Sequence, residues 1–121
     1  MDILKIDRII RYYWSEHVKN VDEDVYRSLL NGEGVISYNK NEKPFPYDYA
    51  NSLEIIVQAV TITRMLIELH NYFKIKPSTK SKYEELESSL NYRLANQSLN
   101  ETVYKKIPDI INSILDDEKP A

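Results

Sequence analysis

The sequence predicts an all-α protein, a single-domain bundle of five to six helices around a central helix at about residues 48–73. Apolar residues recur at spacings of three and four over most of the chain, as they do on one face of a helix. Only two glycines occur and both fall in one short window, whereas helix interiors avoid glycine. A length of 121 residues fits one domain, residues 1–121, which can fold without a disulfide or a metal.

The first helix is predicted from about Asp2 to Val18. Its apolar stripe consists of Ile3, Ile6, Ile10, Tyr13 and His17. After an interruption at residues 20–23, a second, shorter helix is predicted. Asp22 can cap its first turn, and Gly32 can close its end in the left-handed conformation.

Residues 33–48 do not follow a helical pattern and are predicted to form one irregular loop. Val35 to Tyr38 is compatible with one short strand, but no partner strand follows. Pro44 and Pro46 fix φ and hold the chain extended. Loops of this length in a compact domain are usually functional or disordered.

The third helix, at about Asp48 to Phe73, is predicted to be the centre of the fold. One seam consists of Ile55, Ala59, Ile62, Leu66, Leu69 and Phe73, and a second stripe beside it of Ile56, Val60, Thr63 and Ile67. An apolar arc of this width predicts contact with neighbours on several sides. Charged and polar residues within Leu53 to Phe73 argue against a membrane span.

The remaining helices are predicted from their capping residues. Ser81 and Glu84 form a possible capping box for the fourth helix, and Asn100 can cap the segment after it. Pro108 predicts a break or kink before a final helix. That helix carries Ile110, Ile111, Ile114 and Leu115.

Composition excludes several classes of function. The chain has no cysteine, no pair of histidines at metal-ligand spacing and no phosphate-binding loop, so we expect no metal and no cofactor. A net charge of −3 argues against a nucleic-acid partner. Four lysines between residues 74 and 82 form either a small phosphate-binding patch or ordinary solubilising residues. Charges near the start interrupt any signal-peptide pattern, so a cytoplasmic location is expected.

One nine-residue segment resembles a known active site. Arg64, His70 and Tyr72 stand in an Arg-x5-His-x-Tyr arrangement, which is similar to the Arg-x4–6-His signature of HEPN-domain ribonucleases. The resemblance implies an all-helical ribonuclease that acts as a dimer. It also implies that Arg64 would steady phosphate charge and that His70 would act as a general base. Met65 departs from the family, which usually has a polar residue directly after the arginine.

The aromatic loop suggests a different function, the binding of another protein. Its predicted contact residues are Glu33, Tyr38, Glu42, Phe45, Tyr47, Asp48 and Tyr49. Tyrosine is favoured at interfaces, and neighbouring acids suit a basic partner; the alternative is that these rings close over the core. We therefore expect a protein-binding inhibitor, a bacterial immunity or antitoxin-type protein that blocks a toxin, which could be a nuclease. A HEPN-like ribonuclease and a structural protein or modulator of phage or host origin are the alternatives.

Overall fold

The computed structural model describes residues 3–32, 47–75 and 81–116, and it confirms the all-α prediction. Seven helical segments lie within these ranges, and no strand occurs in them. The segments are α1 (Ile3–Tyr13), α2 (Ser15–Lys19), α3 (Glu23–Leu30), α4 (Tyr47–Ile75), α5 (Lys82–Arg93), α6 (Glu101–Tyr104) and α7 (Ile107–Asp116).

The chain divides into two compact units, Met1–Val60 and Thr61–Ala121. The boundary falls inside α4, so this helix contributes its first half to unit 1 and its second half to unit 2. The expectation of a single domain over residues 1–121 remains a prediction.

Unit 1 is built from α1, α2, α3 and the first half of α4, with α1 packed against α2 and α3. Its fully buried side chains include Ile6, Ile10, Tyr26, Ile55 and Ile56. Gly32 follows α3 with φ of 80°, and its N–H donates to the Leu29 carbonyl at 3.1 Å, which confirms the predicted left-handed closure.

The prediction of one unbroken first helix was wrong. At Trp14 the backbone leaves the helical region, with φ −131° and ψ 37°, and α2 begins at the next residue. The Trp14 carbonyl then accepts from the N–H groups of His17 and Val18, at 3.0 Å each. The apolar spacing runs through the break unchanged because the Trp14 ring is itself buried, so the side-chain pattern gives no sign of it.

The central helix, α4, is longer than predicted by one or two residues at each end, an ordinary difference for helix boundaries. Both predicted apolar stripes are buried from Ile55 to Leu69, and Phe73 is partly exposed. None of the described helices has the length and apolar character that crossing a membrane requires.

Unit 2 consists of the second half of α4 with α5, α6 and α7, and α5 packs against α7. The predicted caps at Ser81 and Asn100 are confirmed. Ser81 Oγ accepts from the Glu84 N–H at 3.2 Å, and Asn100 Oδ1 accepts from the Thr102 N–H at 2.9 Å. The predicted break before Pro108 is confirmed as well, since α6 ends at Tyr104 and α7 begins at Ile107.

Candidate functional site

The predicted contact loop lies mostly outside the described residues. This applies to Glu33, Tyr38, Glu42 and Phe45. Tyr47 and Asp48 are the first two residues of α4 rather than part of a loop. Tyr49 also belongs to α4, and its side chain is only 7% exposed. A partner has little access to Tyr49 in this conformation, so this ring fits the alternative of closure over the core.

The outer face of α1 in unit 1 exposes large apolar side chains. Leu4 is 81% exposed and Tyr12 is 78% exposed, and Ile3 lies beside them at 37%. Leu4, Arg8 and Tyr12 follow one another at intervals of four residues, which places them on the same side of the helix. Leu4 and Tyr12 are therefore presented together to solvent.

A network of charged side chains joins α1 to α3 beside this face. Arg11 Nε donates to Asp7 Oδ1 at 2.7 Å, and Arg11 Nη2 donates to Glu23 Oε1 at 3.2 Å. Arg27 Nε donates to the same Glu23 oxygen at 3.2 Å. The hydrogen bond to Asp7 raises the pKa of Arg11, so this guanidinium stays charged. Two acids and two bases neutralise one another, so the network adds no net charge to the face.

Tyr26 anchors the network to the core. Its ring is completely buried, its hydroxyl donates to Asp7 Oδ1 at 2.6 Å, and the Arg11 guanidinium carbon lies 4.8 Å from the ring centroid. Burial, followed by the hydrogen bond to Asp7, raises the pKa of the phenol far above its ordinary value. Tyr26 is therefore a neutral donor at any physiological pH.

A depression of about 350 Å³ lies between α1 and α3. It is lined by Ile3, Leu4, Asp7, Arg11, Glu23, Arg27, Leu30 and Asn31. The lining includes three apolar side chains, Ile3, Leu4 and Leu30, beside the ion pairs, so a side chain from another molecule can contact an apolar wall here.

A second polar cluster in unit 1 could not be predicted from the sequence. His17 Nδ1 lies 2.9 Å from Ser52 Oγ, and Asn20 Nδ2 donates to the same oxygen at 3.1 Å. Serine–histidine pairs at this distance occur in hydrolases. Ser52, however, is only 1% exposed, so a substrate carbonyl has no route to Oγ. The cluster links α2 to α4 and serves the fold.

A groove in unit 2 runs between α4 and α5, with a volume of about 730 Å³. It is lined by Glu68, Leu69, Tyr72, Phe73, Ser88, Ser89, Tyr92 and Arg93. Tyr72 is 54% exposed and Tyr92 is 86% exposed. Lys82 Nζ donates to the Phe73 carbonyl at 2.9 Å, which ties the start of α5 to the end of α4. No sequence pattern pointed to this groove, because its two walls come from separate helices.

Arg64 and His70, the pair that resembles the ribonuclease signature, both lie in α4. His70 is 2% exposed, and neither of its ring nitrogens reaches the surface. A general base has to come within hydrogen-bond reach of the hydroxyl it activates. In this conformation His70 does not present a ring nitrogen for that contact.

Other kinds of site find no support in the described residues. Within them, no three histidine or acidic residues are grouped closely enough to hold a metal ion. Of the basic segment, Lys74 and Lys82 lie in the described part, and residues 76–80 lie outside it.

No family model, curated protein or solved structure matches this chain.

Proposed function

We propose that this chain is a protein-binding inhibitor, an immunity or antitoxin-type protein that blocks a toxin in the bacterial cytoplasm. The observation that carries the proposal is the outer face of α1, where Leu4 and Tyr12 are exposed on either side of Arg8. The proposed toxin has a basic substrate-binding surface, as a nuclease does.

The α1 face has the chemistry of a binding surface. Tyrosine buries a large area at a small entropic cost and keeps a polar tip, which is why it is enriched among interface hot spots. Leu4 adds exposed apolar area two turns away from Tyr12, and it lines the depression that can receive a side chain from the partner. Neither residue belongs to the core, so the fold does not account for their presence at these positions.

The charge of unit 1 indicates the kind of partner. Residues 1–60 contain ten acidic and seven basic side chains, whereas residues 61–121 contain nine of each. The net negative charge of the protein therefore belongs to unit 1. This excess lies outside α1, whose residues Ile3–Tyr13 include three bases and one acid. A basic protein surface, such as the groove in which a nuclease holds its substrate, complements the unit as a whole.

The predicted loop extends this proposal. Residues 33–46 belong to unit 1, and they hold Tyr38 and Phe45 together with Glu33 and Glu42. These rings and acids are part of the proposed contact with the partner. Tyr49 is left out of the proposed contact because it is buried.

The buried position of His70 favours binding over the ribonuclease alternative. A structural protein or modulator would use the same kind of surface as an inhibitor. These two are distinguished by the effect on the partner, since an inhibitor abolishes its partner's activity on binding.

The test begins with a pull-down from the source cell, in which the tagged protein retains its partner. The partner is then purified, and its affinity for the protein and its activity in the binary complex are measured. We expect tight binding and loss of the partner's activity. Tyr12→Ala should weaken binding by about 2 kcal/mol or more, roughly 30-fold, as truncation of a tyrosine hot spot does. Leu4→Asp should weaken it as well, because it places a charge in an apolar contact.

Tyr104→Ala is the matched control, because Tyr104 is also exposed, at 62%, and lies in unit 2. If the Tyr12 and Leu4 variants bind as tightly as the Tyr104 variant, the α1 face is not the interface. If the complex forms but the partner keeps its full activity, the modulator alternative replaces the inhibitor.

A further inference from the structure

The groove of unit 2 carries charged side chains that the fold leaves unused. Glu68 is exposed on the α4 wall and Arg93 is exposed on the α5 wall. No ion pair or hydrogen bond joins either side chain to any other residue that the structure describes. Two opposite charges thus stand on opposite walls of one groove, and neither has a partner among the described residues.

Each charge has an exposed ring beside it. Tyr72 is one turn after Glu68 on α4, and Tyr92 directly precedes Arg93 on α5. One wall therefore presents an acid with a tyrosine, and the other presents a base with a tyrosine. Ser88 and Ser89 lie between them, and small side chains allow another helix to approach closely.

We propose that the α4–α5 faces of two copies of the chain pack against each other at this groove, so that the protein forms a two-fold symmetric dimer. A two-fold axis midway between Glu68 and Arg93 brings Glu68 of each copy to Arg93 of the other. The same axis brings Tyr72 of one copy toward Tyr92 of the other. The two α4–α5 hairpins then form a four-helix arrangement with both ion pairs at its edges.

A second copy fits this surface better than an unrelated protein because the surface is self-complementary. An interface between identical patches requires that every group on it find its opposite on that same patch. An acid paired with a base and a tyrosine paired with a tyrosine meet this requirement. Unit 2 also carries nine acidic and nine basic residues, so two copies do not repel each other through net charge at this face. The dimer does not depend on the proposed inhibitor function, which uses α1.

Sedimentation of the purified full chain tests the proposal over roughly 5 to 500 µM, a range that brackets micromolar dissociation constants. We expect a concentration-dependent dimer. Glu68→Arg and Arg93→Glu, each alone, should weaken association at least tenfold, since each turns two attractive pairs into two repulsive ones. The double variant should return to within about threefold of the wild type, because it restores both pairs in reverse.

Mixing the two single variants is the most specific measurement. One variant then carries two bases in the groove and the other carries two acids, so a mixed dimer should form at least as readily as the wild-type dimer while each variant alone stays largely monomeric. The ion pair between Glu101, the first residue of α6, and Lys105, which directly follows α6, supplies the control. Glu101→Arg and Lys105→Glu make the same changes in net charge and should leave association unaltered.

Two results would overturn the proposal. If the chain stays monomeric over the whole concentration range, the groove does not bind a second copy of the chain. A dimer that tolerates both single reversals, or that neither the double variant nor the mixture restores, uses another interface. Circular dichroism of each variant shows that its helices are intact.

Discussion

Tyr26 shows how one side chain can serve both the core and the surface of unit 1. The Tyr26 ring is completely buried. Its hydroxyl donates to Asp7, and the Arg11 guanidinium lies over the face of the ring. The hydrogen bond from this hydroxyl therefore connects the ion-pair network between α1 and α3 to the core of unit 1. A charged phenolate at this position would be buried next to a carboxylate, which explains why the pKa of Tyr26 is raised.

The raised pKa of Tyr26 predicts a loss of stability in alkali. The folded chain keeps the phenol protonated above the ordinary pKa of about 10, whereas the unfolded chain releases the proton there. The stabilisation is thus complete below pH 10 and declines above it, by up to about 1.4 kcal/mol per pH unit. Urea unfolding of the wild type and of Tyr26→Phe at several pH values between 7 and 11 measures this effect.

At pH 7, Tyr26→Phe should lower the free energy of unfolding by about 1.5 kcal/mol, because a hydrogen bond to a charged carboxylate is lost. Above pH 10 the wild type should lose stability faster than the variant, so the two curves approach each other. Tyr12→Phe is the control, since it removes a hydroxyl from an exposed tyrosine that takes no part in the buried hydrogen bond to Asp7. Parallel curves for Tyr26→Phe and the wild type would contradict the assignment.

Glu85 is a second side chain whose burial has an energetic consequence. It is 6% exposed, and neither carboxylate oxygen bonds to any described residue. Burial of an uncompensated carboxylate opposes folding. Glu85→Met should therefore raise the free energy of unfolding, by about 1–3 kcal/mol. Urea denaturation measures the change.

Glu84 is the matched control for Glu85, because it is adjacent, exposed and in the first turn of α5. Glu84→Met removes a favourable interaction with the helix N-terminus and should lower stability by about 0.3–1 kcal/mol. The two substitutions are thus expected to have opposite signs. A loss of stability in both variants would mean that the Glu85 carboxylate has a stabilising partner.

At the scale of the elements, local chemistry was enough to predict most helices. Ser81 and Asn100 precede runs of helical spacing, and each accepts the N–H that a cap is expected to accept. Asp22 also precedes a helix, but its side chain makes no capping hydrogen bond. A capping residue in the sequence thus indicates where a helix begins, whereas the side-chain bond depends on the local rotamer.

Features that depend on tertiary contacts could not be predicted from the sequence. The interruption at Trp14 is a change in backbone dihedral angles at a residue whose side chain is buried. The apolar pattern of the sequence therefore continues through it. His17 and Ser52 are 35 residues apart and share no motif. The groove in unit 2 is unpredictable from the sequence for the same reason, because Glu68 and Arg93 come together only when α4 and α5 lie side by side.

At the scale of the whole molecule, the two units differ in net charge. Unit 1 holds the acidic excess and the exposed face of α1, and unit 2 holds equal numbers of acids and bases and the self-complementary groove. The two proposals thus place partner binding and self-association on different units. Variants of Leu4 or Tyr12 should leave the dimer intact, and variants of Glu68 or Arg93 should leave the partner-binding face intact.

The acidic excess of unit 1 predicts how salt affects binding of the partner. Attraction between the net negative unit 1 and a basic partner acts at long range, so it speeds association more than it slows dissociation. Raising the salt from about 50 to about 500 mM shortens the screening length severalfold. The association rate should then fall roughly tenfold or more, while the dissociation rate changes by less than about threefold. Stopped-flow or surface-binding kinetics of the purified complex measure both rates.

Neutralising exposed acids in each unit tests where this attraction originates. Asp22→Asn with Asp24→Asn removes two exposed charges from unit 1, and Glu84→Gln with Glu101→Gln removes two from unit 2. Both double variants have the same net charge. Because a charge steers a partner most strongly when it lies near the contact, the unit 1 variant should associate more slowly at low salt and depend less on salt. If the unit 2 variant is affected equally, the total charge of the protein steers the partner, and the acidic excess of unit 1 does not mark the interface.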